Sequence, residues 1–363
     1  MRVEWLDPAG LSEVALGHWR DLAARAAVPN PFFEPGFLLP AVRHLGGAGV
    51  ELLVARRPGG DWAGALPVRR QLRWRRLPVL ARAGWQHDYA FLGAPLLAAG
   101  DEARALAHLL HAARRRAGLV ALEPVPGDGP FAAALAAALD SLGTRPVEWE
   151  RFERGALHRR AQDDYVASTL SSKRRRELRR QRKLLAGALG GEVATTDRAG
   201  DPAAVTDFLA LEAAGWKGER STAMASASAG RFFAELCAAF AAEGRLQLLE
   251  LGGGGTPAAM KCNLLAGEGV FTFKIAFDER FAAFSPGVQL ELDNIAIFHG
   301  SEELAWMDSC AEADNCMIAR LWPDRRRLSI VLVPGNGNLG RLARAESQLV
   351  AALRRQIKER RAE

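Results

Sequence analysis

Val270-Phe271-Thr272-Phe273-Lys274-Ile275-Ala276-Phe277-Asp278 is followed, after Glu279 to Ser285, by Pro286-Gly287-Val288-Gln289-Leu290-Glu291-Leu292. The first run is dense in β-branched and aromatic residues and predicts a strand. The second opens with serine as a cap, proline in the first turn and a glycine, which predicts a helix start. A helix start presents oriented N–H groups and the positive end of the helix dipole, so it can bind an anion without a cationic side chain. The amides exposed at this helix start are therefore a candidate phosphate site.

Working outward, the same order of elements occurs twice. Val50 to Arg56, a turn at Arg57-Pro58-Gly59-Gly60-Asp61, and Trp62 to Arg70 read as a hairpin. Arg245 to Leu251, Gly252-Gly253-Gly254-Gly255-Thr256 and Pro257 to Leu265 read as another. Helices precede each hairpin, at Pro8 to Ala27 and Pro35 to Leu45, then at Ala203 to Trp216 and Ala229 to Glu243. After each hairpin comes a loop, a helix and an apolar strand, Leu119 to Leu122 in one half and Leu304 to Met307 in the other. The reading is an α/β (α+β) chain of two similar domains, each a mixed, mainly antiparallel sheet covered by helices. The expected bounds are 1–165, a basic connecting helix at 166–187, a second domain at 188–334, and a final turn and helix at 335–363 that packs on the second domain.

Length and composition agree with two globular domains. Of 363 residues, 49% are hydrophobic and 25% charged, enough apolar side chain for buried cores. The net charge is +6, but it is local. Residues 151–190 hold twelve Arg or Lys against four Asp or Glu, so the remaining residues sum to −2. The centre of that segment, Ser171-Ser172-Lys173-Arg174-Arg175-Arg176-Glu177-Leu178-Arg179-Arg180-Gln181-Arg182-Lys183, predicts a helix docked through Leu170, Leu178 and Leu185. Two readings stay open for it: a solvated connector, or a binder of phosphate on a nucleotide cofactor or nucleic acid.

No stretch is long and apolar enough for a membrane helix, and no leader pattern opens the chain, so the expectation is a cytoplasmic protein without a membrane span. Four scattered cysteines suggest free thiols and no metal site. Gly335-Asn336-Gly337-Asn338-Leu339-Gly340 fits a dinucleotide-binding pattern, but the residues after it are too few for the strands and helices such a site requires.

Several stretches occur in the order and spacing of a known family. They are Lys274-Ile275-Ala276-Phe277-Asp278, the Ser285-Pro286-Gly287 helix start, Trp216-Lys217-Gly218 upstream and Asp308 downstream. The basic Ser171 to Arg180 run and His87-Asp88-Tyr89-Ala90-Phe91-Leu92-Gly93-Ala94-Pro95-Leu96 join them. Together they resemble the CelD-type or BioF2-like acetyltransferases of the GNAT superfamily. The resemblance implies paired GNAT-like domains as in Fem-type transferases, the first one degenerate. It also implies acetyl-CoA or another acyl-CoA as donor, and an amine, sugar or polysaccharide-precursor acceptor.

Carried over, Ser285, Gly287, Val288 and Gln289 take the pyrophosphate, Lys274, Asp278 and Asp308 face the acceptor cleft as catalytic candidates, and Trp216 and Lys217 line the acceptor site. Asp308, ending an apolar strand, is the candidate base, with a structural salt bridge as the alternative. Phe277 stands where the family usually has tyrosine, and Ser309-Cys310-Ala311-Glu312 replaces its usual tail. Two other functions fit the same frame: a Fem-like aminoacyl-tRNA-dependent transferase, with tRNA as partner, and an inactive tandem binding module.

Overall fold

The computed structural model describes residues 1–160, 169–214, 224 and 226–362. In chain order the elements are β1 (Arg2–Leu6), α1 (Glu13–Ala24), α2 (Pro35–His44), β2 (Val50–Arg56), β3 (Trp62–Gln71), β4 (Ala81–Gly84), β5 (Leu96–Leu97), α3 (Glu102–Arg114), β6 (Leu119–Pro126), α4 (Gly129–Ser141) and β7 (Val147–His158). They continue as α5 (Ser172–Leu189), β8 (Ala194–Asp197), α6 (Ala204–Ala214), α7 (Ala227–Ala242), β9 (Leu246–Gly253), β10 (Thr256–Ala266), β11 (Gly269–Phe277), α8 (Pro286–Gly300), β12 (Trp306–Asp308), α9 (Cys316–Leu321), β13 (Asp324–Pro334) and α10 (Gly337–Ala362). The chain forms two compact units, Met1–Glu153 with Arg327–Glu363, and Arg154–Arg326.

In the first unit the strands run β1-β2-β3-β4-β6-β13, antiparallel except for β4 beside β6. Both predicted strands of the first hairpin are present. The first helix begins later than Pro8 because a 3-10 turn capped by Asp7 takes the leading residues, and Ser12 then caps α1 through Ala15 N–H. His87, from the stretch shared with the acetyltransferases, stacks on Phe37 and leans on Trp85. Burial, aided by the charge of Arg69, lowers its pKa to about 4, so it is neutral at pH 7.

The last strand and helix belong to this unit, not to the second domain as expected. Leu328 to Pro334 of β13 pair antiparallel with β6, and Arg114 Nε donates to the Pro334 carbonyl at 2.6 Å. Ala351 of α10 is buried with Trp74, Leu119, Trp149 and Leu332, and Arg354 lies over the Trp149 ring. These contacts are long-range pairings that a linear division of the sequence does not show. The Gly335 to Gly340 pattern is explained here too: a Cβ on Gly340 would lie 1.9 Å from the Gly335 carbonyl, so close chain packing requires the glycine.

In the second unit the order is β7-β12-β11-β10-β9-β8, antiparallel except for β11 beside β12. Alternate residues of β11 meet opposite layers. Ile275 and Phe277 approach Gly287 of α8, while Lys274 approaches Glu212 of α6. On the α8 side, Leu185 and Leu189 of α5 pack with Leu249, Leu251 and Leu290. On the α6 side, Phe208 and Phe233 stack towards Phe273.

The basic helix is therefore an integral layer of this unit and not a free connector. Ser171 caps it through Arg174 N–H, and left-handed Gly190 ends it. Among the described residues no helix is long and apolar enough to cross a membrane, and no cluster of ligands is suited to a metal.

Candidate functional site

The site is built where β12 leaves β11. Opposite β10, the register shifts between Cys262 and Asn263, so Phe273 is an extra residue and the strand bulges. On its other side β11 pairs with β12 only from Gly269 to Phe271. Thr272 Oγ1 then donates to the Ser309 carbonyl at 2.8 Å, and Ser309 N–H turns away to donate to Gly155 O at 3.1 Å. The β11–β12 ladder ends at Phe271 and Asp308, and β11 runs on to Phe277 along β10.

The paired end is tight: a Cβ on Gly269 would come within 2.3 Å of the Trp306 ring. Gly269→Ala is expected to cost about 1–3 kcal/mol by overpacking. Urea unfolding checks this; an unchanged midpoint would show that Trp306 can move aside freely.

Asp308 ends the β11–β12 ladder. It is fully buried, with Arg154 Nε 2.6 Å from Oδ1 and Arg154 Nη2 donating to Oδ2 at 2.7 Å. Arg326 Nη1 donates to Oδ2 at 2.6 Å and Cys310 N–H to Oδ1 at 2.9 Å. Burial alone would raise its pKa, but the charges of Arg154 and Arg326 and these hydrogen bonds outweigh it, holding the carboxyl below its ordinary range. A carboxylate held by two guanidinium groups and a backbone N–H accepts a proton poorly and is a poor general base. This geometry is that of the structural salt bridge, the alternative expected for Asp308.

Asp278 is also occupied. It caps the 3-10 turn Glu279–Phe284 through Arg280 N–H, and Arg280 holds its carboxylate at 2.6 Å. The hydrogen bond from Arg280 is the main cause of its lowered pKa.

The start of α8 is where the sequence placed it, but most of its amides are engaged. Ser285 N–H donates to Ala282 O, and the Val288 and Gln289 N–H groups both donate to Ser285 O at 3.1 Å. Only Gly287 among these four keeps an N–H without an acceptor among the described residues. Ser285 is left-handed and its side chain makes no cap hydrogen bond. The Gln289 side chain, expected only as a helix-start position, is buried and donates through Nε2 to Phe284 O at 2.7 Å.

Lys274 lies on the bulged part of β11, with Nζ 3.7 Å from Glu212 Oε1. Glu212, in the last turn of α6, is buried and its Oε2 accepts from Met224 N–H at 2.8 Å. Sequence reasoning missed Glu212, although a lone acid in the apolar run Phe208-Leu209-Ala210-Leu211-Glu212-Ala213-Ala214 was a signal. Trp216 and Lys217, the expected acceptor residues, lie outside the described residues.

A second buried group was also missed. Lys261 of β10 donates to Glu291 of α8 at 2.7 Å, and Glu291 Oε1 accepts from Asn294 and from Trp322 Nε1. Asn263 Nδ2 closes the network on Asn294 at 2.7 Å. A pair this fully enclosed ties α8 to the sheet.

A search of curated proteins finds no match to the chain. Among solved structures, FemX is similar at a TM-score of 0.60 with 10% identity, over 96% of this chain and 100% of that one. A conserved protein of unknown function from Bacteroides thetaiotaomicron VPI-5482 is similar at 0.55 with 11% identity, over 92% and 100%. At such identities the likeness is one of fold. The α/β architecture with a GNAT-like sheet and helices is thereby established, and residues 172–315 match the acetyltransferase (GNAT) domain family.

Proposed function

We propose that the protein is an acyl-CoA-dependent N- or O-acyltransferase, with its reaction centre in the Arg154–Arg326 unit, where β12 leaves β11 beside the Glu212–Lys274 pair. The observation that carries this reading is the match of residues 172–315 to the acetyltransferase (GNAT) domain family, in the unit where Ile275 and Phe277 of β11 face the start of α8. The pantetheine arm of coenzyme A is an extended, amide-bearing chain of the kind a β-strand can hold by backbone hydrogen bonding.

In the proposed reaction an acceptor amine or hydroxyl attacks the thioester carbonyl carbon. Its proton passes to Glu212, which Lys274 orients. A backbone N–H of β11 stabilises the oxyanion, and the intermediate collapses with loss of the thiolate. No covalent enzyme intermediate is needed. A sugar or polysaccharide precursor is the acceptor class that the resemblance suggests.

The test is ligand-dependent stability. Acetyl-CoA at a hundred times its Kd is expected to stabilise the fold by about 2.7 kcal/mol, read as a raised melting temperature. Absence of any shift at millimolar acetyl-CoA overturns the reading.

A further inference from the structure

Between α5 and α8 lies an open pocket of about 420 Å³ whose lining includes Leu170, Arg175, Leu178, Arg179, Gln289 and Leu292, with Arg182 and Asp293 beside them. Its charges divide simply. Arg182 is neutralised by Asp293 at 2.9 Å, and Asp293 also accepts from Thr195 Oγ1 at 2.5 Å. Arg175 and Arg179 stand at the rim, exposed, and neither has a carboxylate partner among the described residues. Two uncompensated guanidinium groups match a phosphomonoester, which carries about −1.5 to −2 at pH 7, better than a singly charged diester.

Gln289 supplies an independent signal. It is 2% exposed, and its Oε1 has no hydrogen-bond partner. The amide cannot be turned round, because only Nε2 can donate to the Phe284 carbonyl. A buried acceptor left in this state is costly unless something donates to it. Leu170, Leu178 and Leu292 meanwhile offer apolar walls of the kind a flat ring packs against.

We infer that the α5–α8 pocket binds a phosphorylated, amine-bearing purine nucleoside, with Arg175 and Arg179 on a phosphomonoester and Gln289 Oε1 accepting from the base amine. This rests on the acyl-CoA reading above for its source: the nucleotide end of coenzyme A carries both an adenine amine and a 3′-phosphomonoester. The arginine helix then selects the donor by its 3′-phosphate, a task that the largely engaged amides at the start of α8 do not perform.

The experiment compares the Kd of coenzyme A, 3′-dephospho-coenzyme A and adenosine 3′,5′-bisphosphate for the wild-type chain and for R175A/R179A, whose exposed positions leave the fold intact. The wild type is expected to prefer coenzyme A over the dephospho form by roughly tenfold to a hundredfold, the scale of one or two charge-assisted hydrogen bonds. The double variant is expected to bind both forms equally, and adenosine 3′,5′-bisphosphate poorly. Replacing the base amine by a carbonyl, in inosine 3′,5′-bisphosphate, is expected to weaken binding to the wild type but not to Gln289→Met.

If acetyl-CoA binds and the wild type does not distinguish the dephospho form, the pocket is overturned while the acyltransferase reading stands. If the bisphosphate binds in an arginine-dependent way and acetyl-CoA does not compete with it, the pocket stands and the acyl-CoA reading falls.

Discussion

Asp308→Asn is expected to destabilise the Arg154–Arg326 unit by about 3–5 kcal/mol, the cost of removing one partner from a buried ion pair. The substitution hardly changes volume, so no cavity contributes. What it removes is the negative charge that Asp308 places between Arg154, itself buried, and Arg326. Urea unfolding followed by hydrogen exchange in β7, β11 and β12 measures the effect. A variant that keeps its unfolding midpoint and loses only turnover would return Asp308 to the chemistry.

The pH dependence follows from the direction of the shift. The folded carboxyl titrates below the unfolded value of about 3.9. Its contribution is therefore complete above that value and is lost as pH falls through the lower, folded one. Between pH 5 and 8 this group adds no slope.

Glu212→Gln is expected to act mainly on the chemistry, with turnover of the folded variant falling by about 10²–10⁴-fold. Glutamine keeps the shape and an acceptor for Met224 N–H, the 2.8 Å contact that joins the end of α6 to the residues beyond it. It loses the ability to accept a proton and the charge facing Lys274. The readout is thiol release from acetyl-CoA with an amine acceptor, taken as a pH–rate profile whose acid limb disappears in the variant. Full turnover by Glu212→Gln at saturating acetyl-CoA excludes this carboxylate as the base.

These two carboxylates show how far a linear reading reaches. Asp308 looked catalytic because it ends an apolar strand, and that local inference was sound: β12 does stop there. Its role turned on Arg154 and Arg326, which lie far away in sequence and arrive through β7 and β13. Glu212 looked like one acid in an apolar helix. It became a candidate only when the α6 layer met the bulge of β11 at Lys274. The start of α8 was legible from Ser285-Pro286-Gly287, but the conformation of Ser285, which engages the Val288 and Gln289 amides, was not.

By itself the sequence determined the two hairpins, the helices around them, the Ser-Pro-Gly helix start and the confinement of excess charge to one helix. Each depends on periodicity, capping and turn chemistry within a few residues. The tertiary structure alone decided that β13 and α10 complete the first unit, that the arginine helix lines a pocket with α8, and which carboxylates are buried in ion pairs. Those outcomes depend on strand pairing and side-chain partners far apart in the chain, where burial sets the energy of a charge and local pattern carries no information about it.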